Sequence, residues 1–367
     1  MHFLSNVQVV WLPMVKRCTR LPAPAYTNYP WVLSVCLCNW CGHVRLRVRS
    51  VSRNKDDPKN EFLTALGAQL PGNVTLYSAD LLTPGAYDDA CATADAVIHA
   101  AAQVDPNVIV DPIKDMVEPS TEGVKNILSS VNKCPNIKHF VQTSSMAAVG
   151  GAAGRVVTEA DWNTQGMDGW ETAPALAYNY AKAEGERTVW AETKGKPYTV
   201  SSINPSMVWG PCLAKAHAKA SPFVFRQALY GNNYPNTQYA VVDVRDVALA
   251  HVLAMENPEA NGKRFILDGD GYNGDSSCGN VIRINDVIAK CREYFPQYVS
   301  NIVPSSFSIS PNRWWVLFAH GPELGAVRRY QFMDAPGKDP APIKPGFRTT
   351  DNSLSKEVLG IVYTDSE

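Results

Sequence analysis

An alternation of short apolar strands and helical segments between His43 and Pro205 constrains the fold of this 367-residue chain more than any other feature. Helical patterns, such as the one from Pro119 to Asn132, separate segments rich in β-branched and other apolar residues. The predicted strands are Val44–Arg49, Val74–Tyr77, Ala96–Ala101, Lys138–Gln142 and Tyr198–Ile203. This β-α-β order is typical of a parallel sheet with helices on both faces. The sequence therefore predicts an α/β fold with a doubly wound parallel sheet.

Candidate ligand-binding residues follow the predicted strands. They lie at or just beyond the strand ends and are Arg49, Asp80, Ala100 to Ala102, Ser145 and Pro205. An open parallel sheet binds ligands at the carboxyl ends of its strands. We therefore expect these residues to line a single binding site along one edge of the sheet.

Tyr178 and Lys182 are separated by three residues on an alanine-rich segment predicted to be helical. An i, i+4 pair shares one helix face, and a lysine close to a tyrosine lowers the pKa of the phenol. With a carbonyl oxygen held by the hydroxyl of Ser145, such a tyrosine can act as a general acid. Because the chain has 15 tyrosines, about one Tyr-x-x-x-Lys is expected by chance. The pair is therefore a candidate active site only together with the residues that follow the predicted strand ends.

Composition and charge exclude several classes of partner. The chain is 45% hydrophobic and 19% charged with a formal net charge of -1, and it has no long block of like charge. This pattern argues against binding to nucleic acid or to an anionic membrane surface. The longest early apolar run, Trp31 to Cys41, is shorter than the ~20 residues of a membrane span. We expect a cytoplasmic protein with a small-molecule substrate.

The nine cysteines are odd in number and mostly scattered, which favours reduced thiols. Cys36, Cys38 and Cys41 form a cluster with His43 nearby. No second ligand pair follows at the spacing of a zinc ribbon, so we interpret the cluster as an apolar run and predict no metal site.

Six motifs follow one another along the chain. They are Asp80-Leu81, Val97-Ile98-His99-Ala100-Ala101-Ala102, Thr143-Ser144-Ser145, Tyr178-x-x-x-Lys182, Asn204-Pro205-Ser206-Met207-Val208-Trp209-Gly210-Pro211 and Val242-Asp243-Val244-Arg245-Asp246-Val247-Ala248. As an ordered set they resemble the extended short-chain dehydrogenase/reductases. The closest similarity is to fungal aldehyde and ketone reductases that resemble plant dihydroflavonol reductase, and it covers roughly residues 43 to 295. A late segment, from Asp351 to Gly360, also resembles the family.

The resemblance implies a Rossmann-like fold and a role for each motif. Ser145 would hold the substrate carbonyl, Tyr178 would donate the proton, and Lys182 would bind the nicotinamide ribose while lowering the pKa of Tyr178. The other implied cofactor contacts are Asp80 and Leu81 at the adenine, Ala100, Ala101 and Ala102 along the dinucleotide, Thr143, and Pro205 to Val208 at the nicotinamide. Alanines at a strand end can equally serve packing, and Asp80 can cap the following helix.

Cofactor choice depends on the end of the second strand of such a fold. A carboxylate there favours NAD, whereas arginine accommodates the 2′-phosphate of NADP. Here the position is Arg49, with Arg53 and Lys55 close behind, so we expect NADPH. The implied activity is reduction of a small carbonyl compound by a monomer or homodimer, in fungal secondary metabolism or aldehyde detoxification.

The start of the chain departs from the family. A glycine-rich turn of the type Gly-x-x-Gly-x-x-Gly should follow the first strand, but no glycine precedes Gly42 and the next is Gly67. Three explanations are open: a misassigned exon or reading frame before His43, a natural pseudoenzyme, or an unusual loop. The first fits best, because the abnormal composition stops just before His43.

The expected organisation follows from these observations. An aberrant segment covers residues 1–42, and a dinucleotide-binding domain covers 43–211, to which 239–268 return. A smaller substrate-binding lobe comprises 212–238 and 269–350, and a truncated C-terminal segment covers 351–367. Two alternative functions stay open, namely a sugar-nucleotide epimerase of the same superfamily and a non-catalytic protein with a dinucleotide fold.

Overall fold

A computed structural model describes residues 46–69, 72–102, 109–151, 156–214, 217, 221, 238–269, 281–283, 287, 290–291, 293–294 and 349–364. The predicted aberrant segment, the Cys36 to Cys41 cluster and most of the predicted substrate lobe lie outside these residues. The strands are β1 (Leu46–Ser52), β2 (Gly72–Ser78), β3 (Ala96–His99), β4 (His139–Thr143), β5 (Val156–Val157), β6 (Thr199–Pro205), β7 (Met207–Trp209), β8 (Gln238–Asp243), β9 (Lys263–Leu267), β10 (Val281–Arg283) and β11 (Thr349–Thr350). The helices are α1 (Glu61–Gln69), α2 (Asp88–Cys91), α3 (Glu118–Asn132), α4 (Met146–Val149), α5 (Ala175–Glu192), α6 (Val244–Glu256) and α7 (Ser353–Leu359).

Among the described strands, four form a parallel sheet in the order β3-β4-β6-β9. Neighbouring residues of a strand point to opposite faces of a sheet. Val97 and Phe140 pack in a core cluster with residues of α3 and α5. Ile98 and Val141 pack in a second cluster with residues of α1, α6 and α7. Helices therefore cover both faces, and the predicted doubly wound α/β fold is confirmed.

β1 and β2 form a separate parallel pair. Val48 of β1 packs in the same core cluster as Ile98, and Val51 packs in the cluster of Val97. The pair thus contributes to the core clusters on both faces of the sheet. None of the described strands hydrogen-bonds to both β1 and β3. β1 ends at Ser52, so the predicted strand end at Arg49 is wrong by three residues.

The C-terminal segment returns to the central sheet. Leu359, Ile361 and Tyr363 belong to the core cluster that α6 also lines. The backbone N–H of Thr364 donates to Asp246 Oδ2 at 2.7 Å, which ties the segment to the first turn of α6. Residues 349–364 therefore complete the core on one face of the sheet.

Close packing of α3 on α5 depends on Gly185. A Cβ at this position would lie 2.9 Å from the backbone oxygen of Ser120 and 3.2 Å from its Cβ. In an unconstrained helix, alanine is more favourable than glycine by ~1 kcal/mol. We expect Gly185→Ala to lower the free energy of unfolding by ~1–3 kcal/mol instead, because the helices must separate.

Urea unfolding measures this effect, with Gly166→Ala as the matched control. A Cβ at Gly166 would have no neighbour within 4 Å, so this variant should leave the unfolding free energy almost unchanged. An increase in stability in Gly185→Ala would contradict the close contact.

Candidate active site

The exit of β4 places Ser145 at the carboxyl edge of the sheet. β4 ends at Thr143, and α4 begins at Met146. Ser145 lies between them as the N-cap, in an extended conformation, and its Oγ accepts a hydrogen bond from the N–H of Ala147 at 3.1 Å. The cap fixes the serine side chain, because it satisfies one of the N–H groups that a helix start leaves unpaired.

Helix α5 brings Tyr178 and Lys182 to this strand exit. The Tyr178 hydroxyl lies within reach of the Ser145 side chain, which acts to lower the pKa of the phenol. Lys182 Nζ donates to the carbonyl oxygen of Thr143 at 3.1 Å. The structure thus brings Ser145, Tyr178 and Lys182 together, as the sequence predicted, with Thr143 as their backbone anchor.

Burial dominates the protonation of both α5 side chains. It raises the pKa of Tyr178, and Ser145 opposes this rise only in part. It lowers the pKa of Lys182 to about 8, against the charge of Glu186. The net shift is therefore opposite to the expected lowering of the pKa of Tyr178 by Lys182, because desolvation of the phenolate outweighs the other effects. The phenol instead keeps its proton at neutral pH, which suits a proton donor.

Arg49 does not lie at the strand end where it was predicted. Arg49 lies in the middle of β1, where its Nη1 donates to the carbonyl oxygen of Ala90 at 2.9 Å and its Nη2 bonds to Thr93. Because β1 continues to Ser52, the first residue beyond the strand is Arg53. Arg53 therefore stands directly after the strand end, where Arg49 was predicted to lie.

Asp80 and Arg53 both lie near Tyr87. Both charges act on the buried hydroxyl of Tyr87, whose pKa is raised by burial and then by Asp80, while Arg53 opposes the rise. The Asp80 carboxylate accepts from the N–H of Leu82 at 2.9 Å, so it also shapes the turn after β2. Leu81 packs against α3, where a Cβ at Gly123 would come within 2.4 Å of its Cγ.

The remaining predicted cofactor residues follow β3, β4 and β6. Ala100, Ala101 and Ala102 directly follow β3 and are half-buried. Pro205 is buried at the end of β6, and Val208 lies on β7 opposite Val242. A dinucleotide fits this set in part: Arg53 and Lys182 supply cations at separate strand ends, with small side chains after β3. The segment that should contact its pyrophosphate lies outside the described residues.

Sequence reasoning missed a buried polar cluster behind Ser145. Ser144 donates to Glu186 at 2.6 Å, and Asn204 donates to the same carboxylate at 2.8 Å. Arg264 pairs with Glu186 at 2.6 Å. One sequence pattern could have pointed to it, since Glu186 follows Lys182 by four residues, as Lys182 follows Tyr178.

Neither a metal site nor a membrane-spanning helix is found among the described residues. Within them, no group of His, Cys, Asp and Glu is arranged to hold a metal ion. No helix in the described part of the chain combines the length and apolar character needed to cross a bilayer.

Comparisons with known proteins show similarity to plant reductases. The cinnamoyl-CoA reductase 1 of Petunia hybrida is 34% identical over 262 residues, which are 68% of this chain and 71% of the petunia protein. The tetraketide alpha-pyrone reductase 2 of Arabidopsis thaliana is 32% identical over 265 residues, which are 68% of this chain and 76% of that protein.

A solved structure shows the same fold. The yeast methylglyoxal/isovaleraldehyde reductase, complexed with NADPH, matches with a TM-score of 0.66 at 22% identity, over 87% of each chain. The family model described as the NAD dependent epimerase/dehydratase family matches residues 42–268, beginning where the predicted aberrant segment ends. This chain, with Ser145, Tyr178 and Lys182 assembled at the end of β4, belongs to the NAD dependent epimerase/dehydratase family.

Proposed function

We propose that this protein is an NADPH-dependent reductase of aldehydes or ketones, with Tyr178 as the proton donor. The observation that carries the proposal is the meeting of Ser145 and Tyr178 at the end of β4, with the Lys182 ammonium bonded to Thr143 one helical turn along α5. Similar proteins named as reductases of cinnamoyl-CoA and a tetraketide pyrone support it. The NADPH bound in the yeast structure of the same fold supports the cofactor.

The three side chains divide the chemistry between them. NADPH, when bound, would supply a hydride to the carbonyl carbon. The hydroxyls of Ser145 and Tyr178 can each donate a hydrogen bond to the carbonyl oxygen. Because its pKa is raised, Tyr178 holds its proton at neutral pH and can transfer it to that oxygen. Lys182, with a pKa of about 8, is mostly protonated at neutral pH, and its charge stabilises the phenolate left after the transfer.

The cofactor would extend along the strand ends. Lys182 would bind the nicotinamide ribose, and Pro205 and Val208 would lie against the nicotinamide. Ala100, Ala101 and Ala102 would line the middle of the dinucleotide, because small side chains allow close approach. Asp80 and Leu81 would border the adenine, and Arg53 would contact the 2′-phosphate.

Substitution of Arg53 tests the cofactor choice. We expect Arg53→Ala to reduce the ratio of NADPH-dependent to NADH-dependent turnover by about tenfold or more, because a charge-assisted hydrogen bond to the 2′-phosphate is lost. Arg49→Ala is the matched control and should leave this ratio unchanged, since Arg49 already bonds to Ala90 and Thr93. A changed ratio in Arg49→Ala alone would return the phosphate contact to Arg49.

Alcohol formation tests the function directly. The purified full chain is incubated with millimolar NADPH and a panel of aldehydes and ketones, and products are identified by gas chromatography. The high cofactor concentration compensates for the weak NADPH binding expected without a glycine-rich turn. Formation of an alcohol is the expected result, and its absence across the panel would contradict the proposal.

A sugar-nucleotide epimerase is the second candidate. The family description names epimerases, and Ser145, Tyr178 and Lys182 could serve that chemistry too. A non-catalytic protein with a dinucleotide fold is the third, because the Gly-x-x-Gly-x-x-Gly turn is missing and no glycine precedes Gly42. Incubation with UDP-sugars separates the first two, since epimerisation without net NADPH consumption would favour the epimerase.

A further inference from the structure

One face of α5 holds the whole exit of β4. Tyr178, Lys182 and Glu186 follow each other at intervals of four residues, so their side chains share a face of the helix. Tyr178 lies against Ser145, Lys182 donates to the carbonyl oxygen of Thr143, and Glu186 accepts from Ser144 Oγ at 2.6 Å. Three consecutive residues of the strand exit thus meet three consecutive turns of the helix.

The carboxylate of Glu186 is fully buried and hydrogen-bonded at both oxygens. Oε1 accepts from Arg264 Nε at 2.6 Å and from Trp190 Nε1 at 3.3 Å. Oε2 accepts from Ser144 at 2.6 Å, from Asn204 at 2.8 Å and from Arg264 Nη2 at 3.2 Å. Burial alone would raise the pKa of Glu186, but Arg264, Ser144 and Asn204 together hold it below its ordinary value. The group is therefore an anion at neutral pH.

Arg264 is itself fixed from a second direction. Its Nη1 donates to the backbone oxygens of Glu159 at 2.8 Å and Asp161 at 2.6 Å. Its guanidinium carbon lies 3.8 Å from the ring centroid of Trp162. The arginine cannot turn away without losing these contacts, so the position of the Glu186 carboxylate is set before any ligand binds.

Two links connect this ion pair to the reacting groups. The side-chain amide of Asn204 donates both to Glu186 and to the backbone oxygen of Ser145, at 2.8 and 3.3 Å. The charge of Glu186 also raises the pKa of Lys182, against the burial that lowers it. The other titratable groups near the ammonium, His99 and His251, have pKa values lowered by burial to about 3 and about 4 and are neutral at neutral pH.

We propose that Glu186, held by Arg264, is a positioning residue that fixes the Ser144–Ser145 turn opposite Tyr178 and places a negative charge one helical turn from Lys182. Its catalytic meaning rests on the proposed reductase function. Glu186 does not reach the substrate or the reacting atoms in this arrangement, because Ser144 and Asn204 lie between it and Ser145. It acts through them and through its charge.

If Glu186 and Arg264 served only to stabilise the fold, removing the whole ion pair from a chain that still folds would change neither the Ser144–Ser145 turn nor Lys182. Replacing both members of a buried ion pair by apolar residues of similar volume is often neutral or stabilising, whereas removing one member leaves an unpaired charge. The double variant Glu186→Met/Arg264→Met can therefore remove the pair while the fold is retained. Ser144→Ala is the gentler variant, because it breaks one link to the turn and leaves the ion pair intact.

The test measures the full chain without cofactor. Nuclear magnetic resonance of ¹³C-labelled lysine gives the pKa of Lys182, and hydrogen exchange gives the protection of the amides at positions 144–148. In the double variant we expect the pKa of Lys182 to fall by about one unit and exchange of these amides to accelerate about tenfold. In Ser144→Ala we expect faster exchange with little change at Lys182.

Glu184→Gln provides the matched control. Glu184 lies on the same helix and pairs with Arg187 at a partly exposed site, so loss of its charge should change neither measurement. An unchanged Lys182 pKa and unchanged exchange in a folded double variant would overturn the proposal. If that variant does not fold, unchanged exchange in Ser144→Ala overturns it. Neither measurement needs turnover, so a wild-type chain that fails to reduce aldehydes contradicts the proposed function alone.

Discussion

A chain in which residues 1–42 are replaced by an apolar strand and a Gly-x-x-Gly-x-x-Gly turn is expected to bind NADPH about 100-fold more tightly than the present chain. No glycine precedes Gly42 here. Without such a turn, backbone N–H groups lose their close approach to two charged phosphates, and a Cβ in place of a glycine hydrogen would collide with them. The expected factor corresponds to ~2.8 kcal/mol, which is the contribution of one or two hydrogen bonds to a charged group.

In a doubly wound fold such a strand would lie between β1 and β3. β1 and β3 contribute Val48 and Ile98 to one core cluster, yet none of the described strands hydrogen-bonds to both β1 and β3. A new parallel strand could pair with both and direct its turn toward the carboxyl edge, where Ser145 and Lys182 lie. We expect the gain in NADPH affinity to come from the glycine-rich turn and not from the apolar surface that the added strand buries.

Fluorescence titration with NADPH measures the difference. The control carries the same added strand with alanines in place of the three glycines, which keeps the apolar contacts and removes the close approach. This control should bind no better than the present chain. Low-micromolar binding by the present chain would contradict the expectation and favour an unusual loop that needs no glycine.

The local features of the fold could be predicted from the sequence. β3, β4 and β6 follow from short apolar segments, and the i, i+4 spacing of Tyr178 and Lys182 gave the shared helix face. The end of β1 was misplaced because Ser50 and Ser52 are small polar residues, although the structure buries them in the ladder with β2. That error placed Arg49 at the strand end, where the structure has Ser52 followed by Arg53.

Contacts between distant residues could not be predicted in the same way. Glu186 and Arg264 are 78 residues apart, and neither belongs to a local pattern that requires the other. The direction of the pKa of Tyr178 also depends on tertiary burial, whereas spacing reports only that a lysine is near. Periodicity thus predicted which groups meet at the site, and packing determined how those groups are held and charged.

Tyr178→Phe is expected to reduce aldehyde turnover by a factor of ~10²–10⁴, the usual contribution of a general acid. The variant removes the hydroxyl that lies within reach of Ser145 and leaves the ring and the helix in place. Binding of NADPH should change little, because Lys182 keeps its contact with Thr143. In the wild-type chain, turnover should also decline above pH ~8, since Lys182, whose pKa is about 8, loses the charge that favours the phenolate.

Tyr180→Phe is the matched control for this substitution. Tyr180 is half-buried on the same helix, and residues two apart do not share a helix face. Its loss of a hydroxyl should therefore leave turnover within a factor of ~2, a change of less than ~0.5 kcal/mol. Initial rates of alcohol formation at saturating aldehyde, measured across pH for the wild-type chain and both variants, test the role of Tyr178 and the pH dependence. Equal turnover in Tyr178→Phe and Tyr180→Phe would remove Tyr178 as the proton donor, because a proton would then reach the carbonyl oxygen from another source.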